Sequence, residues 1–498
     1  MAVRPQASGA KLANFGLNGV EPEVVIIVIF SPMKKQLLLF LLIFAVLVFA
    51  CRKNSFNSSP NALIEFSADT LLFDTVFVST GSITEQVKII NPNDQKLHLS
   101  AVKLMGGAQS YFHLNIDGSP GPELDNIDID AGDSLYVFVA VSINPQTSGL
   151  PFVVQDNIQI AYNGSQHYIQ LEAWGQNAHF LTNQVLTGNT AWDNKLPYVI
   201  LGSLTVDSNA QLTIPAGCKV YFHANAPMLV AGSLLVNGDH YDSTRVYFQS
   251  DRLDPPYNTF PGSWPGIYFQ PASSGNDLKY AVIKNASQAV VVEAPPAGTT
   301  PKVLLEQCII DNSYNAGILG VQGSLRANNC LISNCGTNIE LGGGGYYVFS
   351  QCTAAAYSNL YMSHTQPVLS LADVIQQGNA LVTGDMQASF SNCIFWGGNG
   401  SVKNEVTVSK QGNGTFAVNF SNCLWKEQTA PTGITSAAIL SNQDPLFDSV
   451  NNSTLYYDFH LQAGSPALGA GMASGIPIDL DGNPRPATSP DLGCYQRQ

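Results

Sequence analysis

The chain has 498 residues, enough for two to four domains. Its formal charge of −14, from 22 basic and 36 acidic residues, argues against nucleic-acid binding and against electrostatic attraction to an anionic surface. It would also repel polyuronates wherever no local basic patch offsets it. Only 12% of residues are charged, 45% are apolar and 43 are glycine, the profile of a turn-dense all-β protein with real cores.

The N-terminus reads as an address. A basic start, Met33-Lys34-Lys35, is followed by an apolar run from Leu37 to Ala50. That run is too short for a typical membrane span and suits a signal-peptide core. It ends Val48-Phe49-Ala50-Cys51, which resembles a bacterial lipobox, although Phe49 departs from the usual small or aliphatic choice. The reading is therefore an upstream mistranslated segment at 1–32, a lipoprotein signal at 33–50, and a mature chain beginning at lipidated Cys51. Acyl chains on Cys51 would hold the protein to a membrane, placing it in the cell envelope as an outer-membrane lipoprotein, periplasmic or surface-exposed. Residues 51–61 are polar and read as a tether.

Residues 62–177 contain short runs rich in Val, Ile, Tyr and Phe, from Leu63–Phe66 to Tyr168–Ala173, separated by turn signals such as Asn91-Pro92 and Asn163-Gly164. Seven strands at that spacing predict an antiparallel β-sandwich. Asn163-Gly164 between two strands predicts a tight hairpin.

From residue 178 to 430 a phrase recurs: Gln307-Cys308-Ile309, Asn329-Cys330-Leu331, Gln351-Cys352-Thr353, Asn392-Cys393-Ile394, Asn422-Cys423-Leu424. The first three cysteines are spaced by 22 residues, and Tyr280-Ala281-Val282 fits the same pattern. Leu371 is read as the missing member between Cys352 and Cys393. A period near 22 predicts about ten stacked coils of a parallel β-helix. The stacked cysteines would have parallel Cβ vectors, poor disulfide geometry, and are read as small interior hydrophobes.

At Ser263-Trp264-Pro265-Gly266-Ile267 and across 202–335 the chain resembles right-handed parallel β-helix proteins of the pectin-lyase-like group, in the form carried by Bacteroidota lipoproteins. Residues 62–177 resemble the immunoglobulin-like domains that precede β-helices in such lipoproteins. Residues 431–498, with Asp444-Pro445-Leu446-Phe447, His460-Leu461-Gln462-Ala463-Gly464 and Asp491-Leu492-Gly493-Cys494, resemble a C-terminal anchor-like module expected to cap or extend the helix. The fold class expected is all-β, an N-terminal antiparallel sandwich followed by a right-handed parallel β-helix. The group hosts lyases, hydrolases and adhesins, so the resemblance implies architecture more than activity.

Catalytic residues are not evident. The carboxylates of the β-helix are scattered, and Lys279, Lys284 and Arg326 stand singly where a lyase would need a base beside acids. Asp239 to Arg245 reads as a solvated turn. Asp479-Leu480-Asp481-Gly482-Asn483 suggests calcium only weakly, because its glycine and acids are out of order for a calcium loop; Asp479 or Asp491 pairing with Arg485 is the favoured reading. No metal site and no cofactor are assigned. Aromatics near Gly- or Pro-rich turns, Tyr257, Trp264, Tyr268, Tyr346 and Tyr347, are the candidate ligand-binding residues, offering flat faces to sugar rings. The leading expectation is non-catalytic binding of a polysaccharide or an envelope protein. The alternatives are a polysaccharide lyase or glycoside hydrolase, and a scaffold in a surface assembly.

Overall fold

A computed structural model describes residues 55–77, 84–143, 152–295, 300–378 and 380–498. The signal segment, Cys51 and the next residues of the stretch read as a tether, through 54, lie outside the described residues. The described end of that stretch is not free. Phe56 bridges to Lys96, and the Asn163 side chain donates to the carbonyls of Asn57 (2.8 Å) and Ser59 (2.9 Å), so residues 55–61 are tied onto the first domain.

The first domain is two five-stranded sheets packed face to face around Phe73, Val87, Ile89, Phe112, Val137, Ile158 and Ile160. Strand alternation is clean in Ser134–Val141, whose inward positions are Leu135, Val137, Val139 and Val141. Strands Phe152–Tyr162 and Ser165–Gln176 form the expected hairpin through Asn163 (φ 47°) and Gly164 (φ 81°). Two positive φ values in succession match a turn whose twist suits paired strands. Departing from the antiparallel pattern, Thr70–Phe77 pairs parallel to Ser165–Gln176 and closes one sheet edge.

The second domain is a parallel β-helix. Each full coil carries three strands, giving three ladders. The first ladder is a ten-stranded parallel sheet; the second and third are knitted into one eighteen-stranded parallel sheet. One coil runs Ser324–Asn328, Leu331–Ser333 and Thr337–Gly342, and the next repeats it at Gly345–Ser350, Thr353–Tyr357 and Leu369–Ala372.

The recurring phrase acquires a local cause here. The residue before each cysteine turns the chain from the first ladder to the second and has positive φ: Gln307 49°, Asn329 57°, Gln351 54°, Asn392 55°, Asn422 50°. Asparagine tolerates that left-handed region best among non-glycine residues, because its short amide finds local partners. A second corner, between the second and third ladders, repeats the device with Asn285 (61°), Asn312 (58°) and Asn334 (50°).

Cys308, Cys330, Cys352, Cys393 and Cys423 point inward, buried and free. Each Sγ lies near a carbonyl of the preceding coil, Leu278 at 3.2 Å, Leu305 at 3.6 Å, Ala327 at 3.5 Å, Phe349 at 3.7 Å and Phe390 at 3.6 Å. The thiols therefore pack as small hydrophobes with weak donors. Burial pushes the Cys330 and Cys393 thiols well up.

Leu371 does not stand in for a missing cysteine. Thr353 pairs directly with Ile394, so Cys352 and Cys393 belong to adjacent coils, and the long gap between them is one enlarged coil. Its extra length is a loop at 358–368 and an antiparallel hairpin, Val374–Gln377 with Ala380–Thr383. Leu371 itself lies in the third ladder between Leu341 and Val408.

The C-terminal segment is also placed differently from the expected cap. The helix continues through Leu440–Ser441, and residues 442–498 then run back along its flank as a strap over the first corner and the second ladder. Asn422 donates to Ala470, Asn392 exchanges hydrogen bonds with Met472, Asn329 donates to Ile478, and Arg245 donates to the Leu480 carbonyl at 2.8 Å. Beneath it the outward side chains Leu331, Ala355, Ile394 and Leu424 meet Phe447, Phe459, Leu461, Leu480, Leu492 and Tyr495. An apolar outer face on that ladder has to be covered, and this segment covers it.

The strap is locked through carbonyl and amide oxygens. Arg485 donates to Asn329 Oδ1 (2.6 Å) and the Gly493 carbonyl (2.9 Å) rather than to a carboxylate. Asp479 accepts from the backbone N–H groups of Asp481, Asn483 and Gln496, and Asp491 from those of Gly469 and Arg497. Of the two carboxylates in the weak calcium reading, Asp479 is thus filled by N–H donors, and Asp481 lies 2.9 Å from His460 Nε2. The expected solvated turn at 239–245 differs too: Arg245 is buried and clamps the strap.

Candidate functional site

The five aromatic candidates do not gather at one surface. Trp264 has no exposed surface; its ring stacks on Phe222 at 4.2 Å inside the helix, and its Nε1 donates to the Lys284 carbonyl at 2.8 Å. Tyr347 is buried as well, its hydroxyl accepting from the Gly323 N–H at 3.0 Å. Both are core residues, not ligand platforms. Their inward register decides this: Trp264 continues a strand-like bridge to Ala286, and Tyr347 pairs with Leu325 and Ala388, both inward. Tyr268 is half-buried on the third ladder. Tyr346 is exposed beside a separate hollow of about 310 Å³ floored by Gly323, Gly343 and Gly345.

Tyr257 belongs to a richer place. It sits in the loop 251–266, under the Arg252 guanidinium (3.9 Å to the ring centroid) and against Phe260. Phe260 in turn meets Tyr361 edge-on at 4.7 Å, and Thr259 Oγ1 lies 3.2 Å from the Tyr361 hydroxyl. Tyr361 comes from the 358–368 loop of the enlarged coil. The two loops therefore meet over the second corner and wall in its outer surface.

One side of that meeting point is a groove of about 440 Å³. Tyr314 and Tyr361 provide aromatic surface, Tyr314 being 58% exposed; Asn315, Thr337, Glu340 and Gln366 provide polar groups. Glu340 is the one carboxylate among the described lining residues, and burial pushes its carboxyl above the usual range. The 358–368 wall is held from below by His364, buried with Nε2 2.9 Å from Glu405 Oε1. Gly397 makes room for that imidazole and Gly400 for the His364 backbone, since a Cβ on the first would strike the ring and on the second the His364 carbonyl.

On the other side is a smaller polar chamber of about 130 Å³, lined by Lys284, Asp311, Asn312, Asn334 and Tyr457 together with the loop residues Asn258, Thr259 and Asn359. Lys284, Asp311 and Ser333 are successive rungs of the second ladder. Asn285 and Asn312 are joined by a 2.8 Å amide hydrogen bond, and each also donates to the overlying loop, at Asn258 and Thr259. The corner thus supports the loop that roofs it.

Tyr314, Tyr361, Glu340 and the chamber residues were not singled out together by sequence reasoning. One signal was present. Asn285, Asn312 and Asn334 repeat with the same spacing as Ala281, Cys308 and Cys330, and so mark a second row of corners.

No family model and no curated protein matches the chain. Among solved structures it shows slight likenesses. A family 123 glycoside hydrolase from Clostridium perfringens gives a TM-score of 0.18 at 7% identity, over 26% of this chain and 30% of that one. The chain thus spans under a third of that hydrolase. A PapD-like domain of human CEP192 gives 0.17 at 8% identity over 31% of this chain and 97% of that domain, and the CooA pilin subunit of enterotoxigenic Escherichia coli gives 0.17 at 8% over 23% and 97%.

Proposed function

We propose that the protein is a lipid-anchored envelope protein of the Bacteroidota β-helix lipoprotein type, whose β-helix binds a polysaccharide without cleaving it. The immunoglobulin-like sandwich stands between the membrane anchor at Cys51 and the helix. The observation that carries the binding reading is the groove over the second corner, with Tyr314 and Tyr361 beside a hydroxyl- and amide-rich floor. Aromatic faces cover the C–H faces of sugar rings while neighbouring polar groups orient the hydroxyls. Retaining or inverting hydrolysis asks for two carboxylates flanking one bond, and the groove offers Glu340 alone among its described lining residues.

The test is affinity electrophoresis and calorimetry against a polysaccharide panel, read in parallel for new reducing or unsaturated ends. Tyr314→Ala with Tyr361→Ala is expected to weaken binding at least tenfold, about 1.4 kcal/mol or more, at an unchanged far-ultraviolet spectrum. Appearance of cleaved ends would overturn the non-catalytic reading. Cys51→Ala is expected to move the protein from the membrane fraction to the soluble one; retention in the membrane would refute the anchor.

A further inference from the structure

Resting on that glycan-binding reading, we infer that the chamber at Lys284 and Asp311 is a subsite for the vicinal diol of an uncharged sugar, so that the groove selects neutral polysaccharide over polyuronate.

The argument starts from register. Lys284 and Asp311 are paired neighbours on adjacent rungs, about 4.8 Å apart along the ladder. Such neighbours commonly form an ion pair, yet this pair does not close to ion-pair distance, and no side-chain hydrogen bond engages the Lys284 ammonium among the described residues. Asp311 uses Oδ1 to accept from Ser333 Oγ at 2.6 Å, and Oδ2 has no donor among the described residues. Asn334 Oδ1 accepts from the Tyr357 N–H, and the Nδ2 of this buried side chain has no acceptor among the described residues. The Tyr457 hydroxyl, supplied by the strap, is buried and faces the Asn359 amide without a well-formed hydrogen bond.

The chamber therefore presents unspent donors and acceptors together, within a volume that fits part of one sugar ring. A hydroxyl is the group that both donates and accepts. Two on adjacent carbons can accept hydrogen bonds from Lys284 and Asn334 while donating their own to Asp311. A carboxylate only accepts; it would leave Asp311 Oδ2 facing like charge.

Charge points the same way. Lys284 and Asp311 offset each other, and the adjoining groove contributes Glu340. The chain carries −14 in all. An anionic polymer crossing both spaces meets one cation and two acids; a neutral one meets hydrogen bonds.

The experiment uses the full chain and three probes, a neutral mannan, polygalacturonate, and the same mannan after periodate cleavage of its vicinal diols. Binding to intact mannan at least tenfold tighter than to the other two is expected. Asp311→Asn and Lys284→Met should each lower mannan affinity at least tenfold without moving the urea midpoint by more than a few tenths molar. The periodate arm needs no variant and stands even if one of these fails to fold. Equal or tighter binding of polygalacturonate, or indifference to periodate, overturns the diol subsite while leaving glycan binding intact. Binding to none of the polysaccharides in the wider panel overturns the glycan-binding reading itself.

Discussion

The β-helix turns two rows of left-handed asparagine-type corners outward, and the molecule treats them oppositely. The first row, Gln307 to Asn422, is covered: its amides are spent on the strap, with Asn329, Asn392 and Asn422 reaching Ile478, Met472 and Ala470. The second row, Asn285, Asn312 and Asn334, is roofed mainly by loops, with Leu455 and Tyr457 of the strap at its edge, and leaves a groove and a chamber beside it. The backbone demand is the same at both. What differs is the neighbouring face. Beside the covered corner the second ladder presents Leu331, Ala355, Ile394 and Leu424; beside the open one it ends in Lys284, Asp311 and Ser333. Apolar rungs require a covering segment, whereas polar rungs can stand in water and meet a ligand.

The largest expected effect comes from beneath the open corner. Trp264 packs inside it, with its indole N–H on the Lys284 carbonyl. Trp264→Ala removes a fully buried indole and leaves a cavity, at a cost of about 3–5 kcal/mol. Urea unfolding followed by circular dichroism should show this as a shifted midpoint. A variant of unchanged stability that nevertheless lost glycan binding would return Trp264 to the surface and undo the placement.

A smaller effect separates the two corners directly. Asn312→Ala forces a β-carbon-bearing residue without a local acceptor into positive φ and drops the bonds to Thr259 and Asn285. The expected cost is about 2 kcal/mol. Asn329→Ala carries the same backbone cost and also takes an acceptor from the buried Arg485 guanidinium. It should therefore cost about 1–2 kcal/mol more than Asn312→Ala. Asn312→Gly, which relieves the backbone, should recover part of the loss. Equal costs at Asn312 and Asn329 would mean that the strap adds nothing at the covered corner.

The difference between the corners also marks how far the sequence could be read. The coil architecture was legible because Cys308, Cys330 and Cys352 keep an even spacing and are preceded by amides, a pattern imposed by backbone geometry. The error at Leu371 arose where that spacing is broken by an inserted loop and hairpin, which change the count without changing the register. Trp264 and Tyr347 were misplaced because proximity to Gly and Pro does not reveal which way a side chain faces; one residue of register does. The groove was the least legible feature. Its walls come from residues near 314, 337, 340 and 361, brought together only by stacking, and exposed Tyr314 has no periodic partner in sequence.

The smallest effect is a pH dependence confined to the covered side. His460, on the strap, is held between Asp481 (2.9 Å from Nε2) and Asp458, and stacks on Tyr495. The hydrogen bond to Asp481, then that to Asp458, outweigh desolvation and raise its imidazole from 6.5 to about 9. A histidine raised in the folded state binds its proton more tightly there than when unfolded. Its contribution is complete below pH 6.5 and is lost as pH rises from 6.5 through about 9. Strap stability should fall over that interval, and His460→Gln should flatten the fall. Glu427, near the end of the helix, acts in the same direction: burial, with Glu405 beside it, raises its carboxyl from 4.5 to about 8, so it disfavours the folded state increasingly over that span. Glu427→Gln in the His460→Gln background separates the two. Hydrogen exchange, corrected for intrinsic rate, should then show faster opening of 456–461 and 480–495 in the wild type at pH 9.5 than at pH 6.5, with little change at Asn285, Asn312 and Asn334. Opening of both corners together would mean that the strap and the groove share one cooperative unit, and that covering one corner helps to hold the other open.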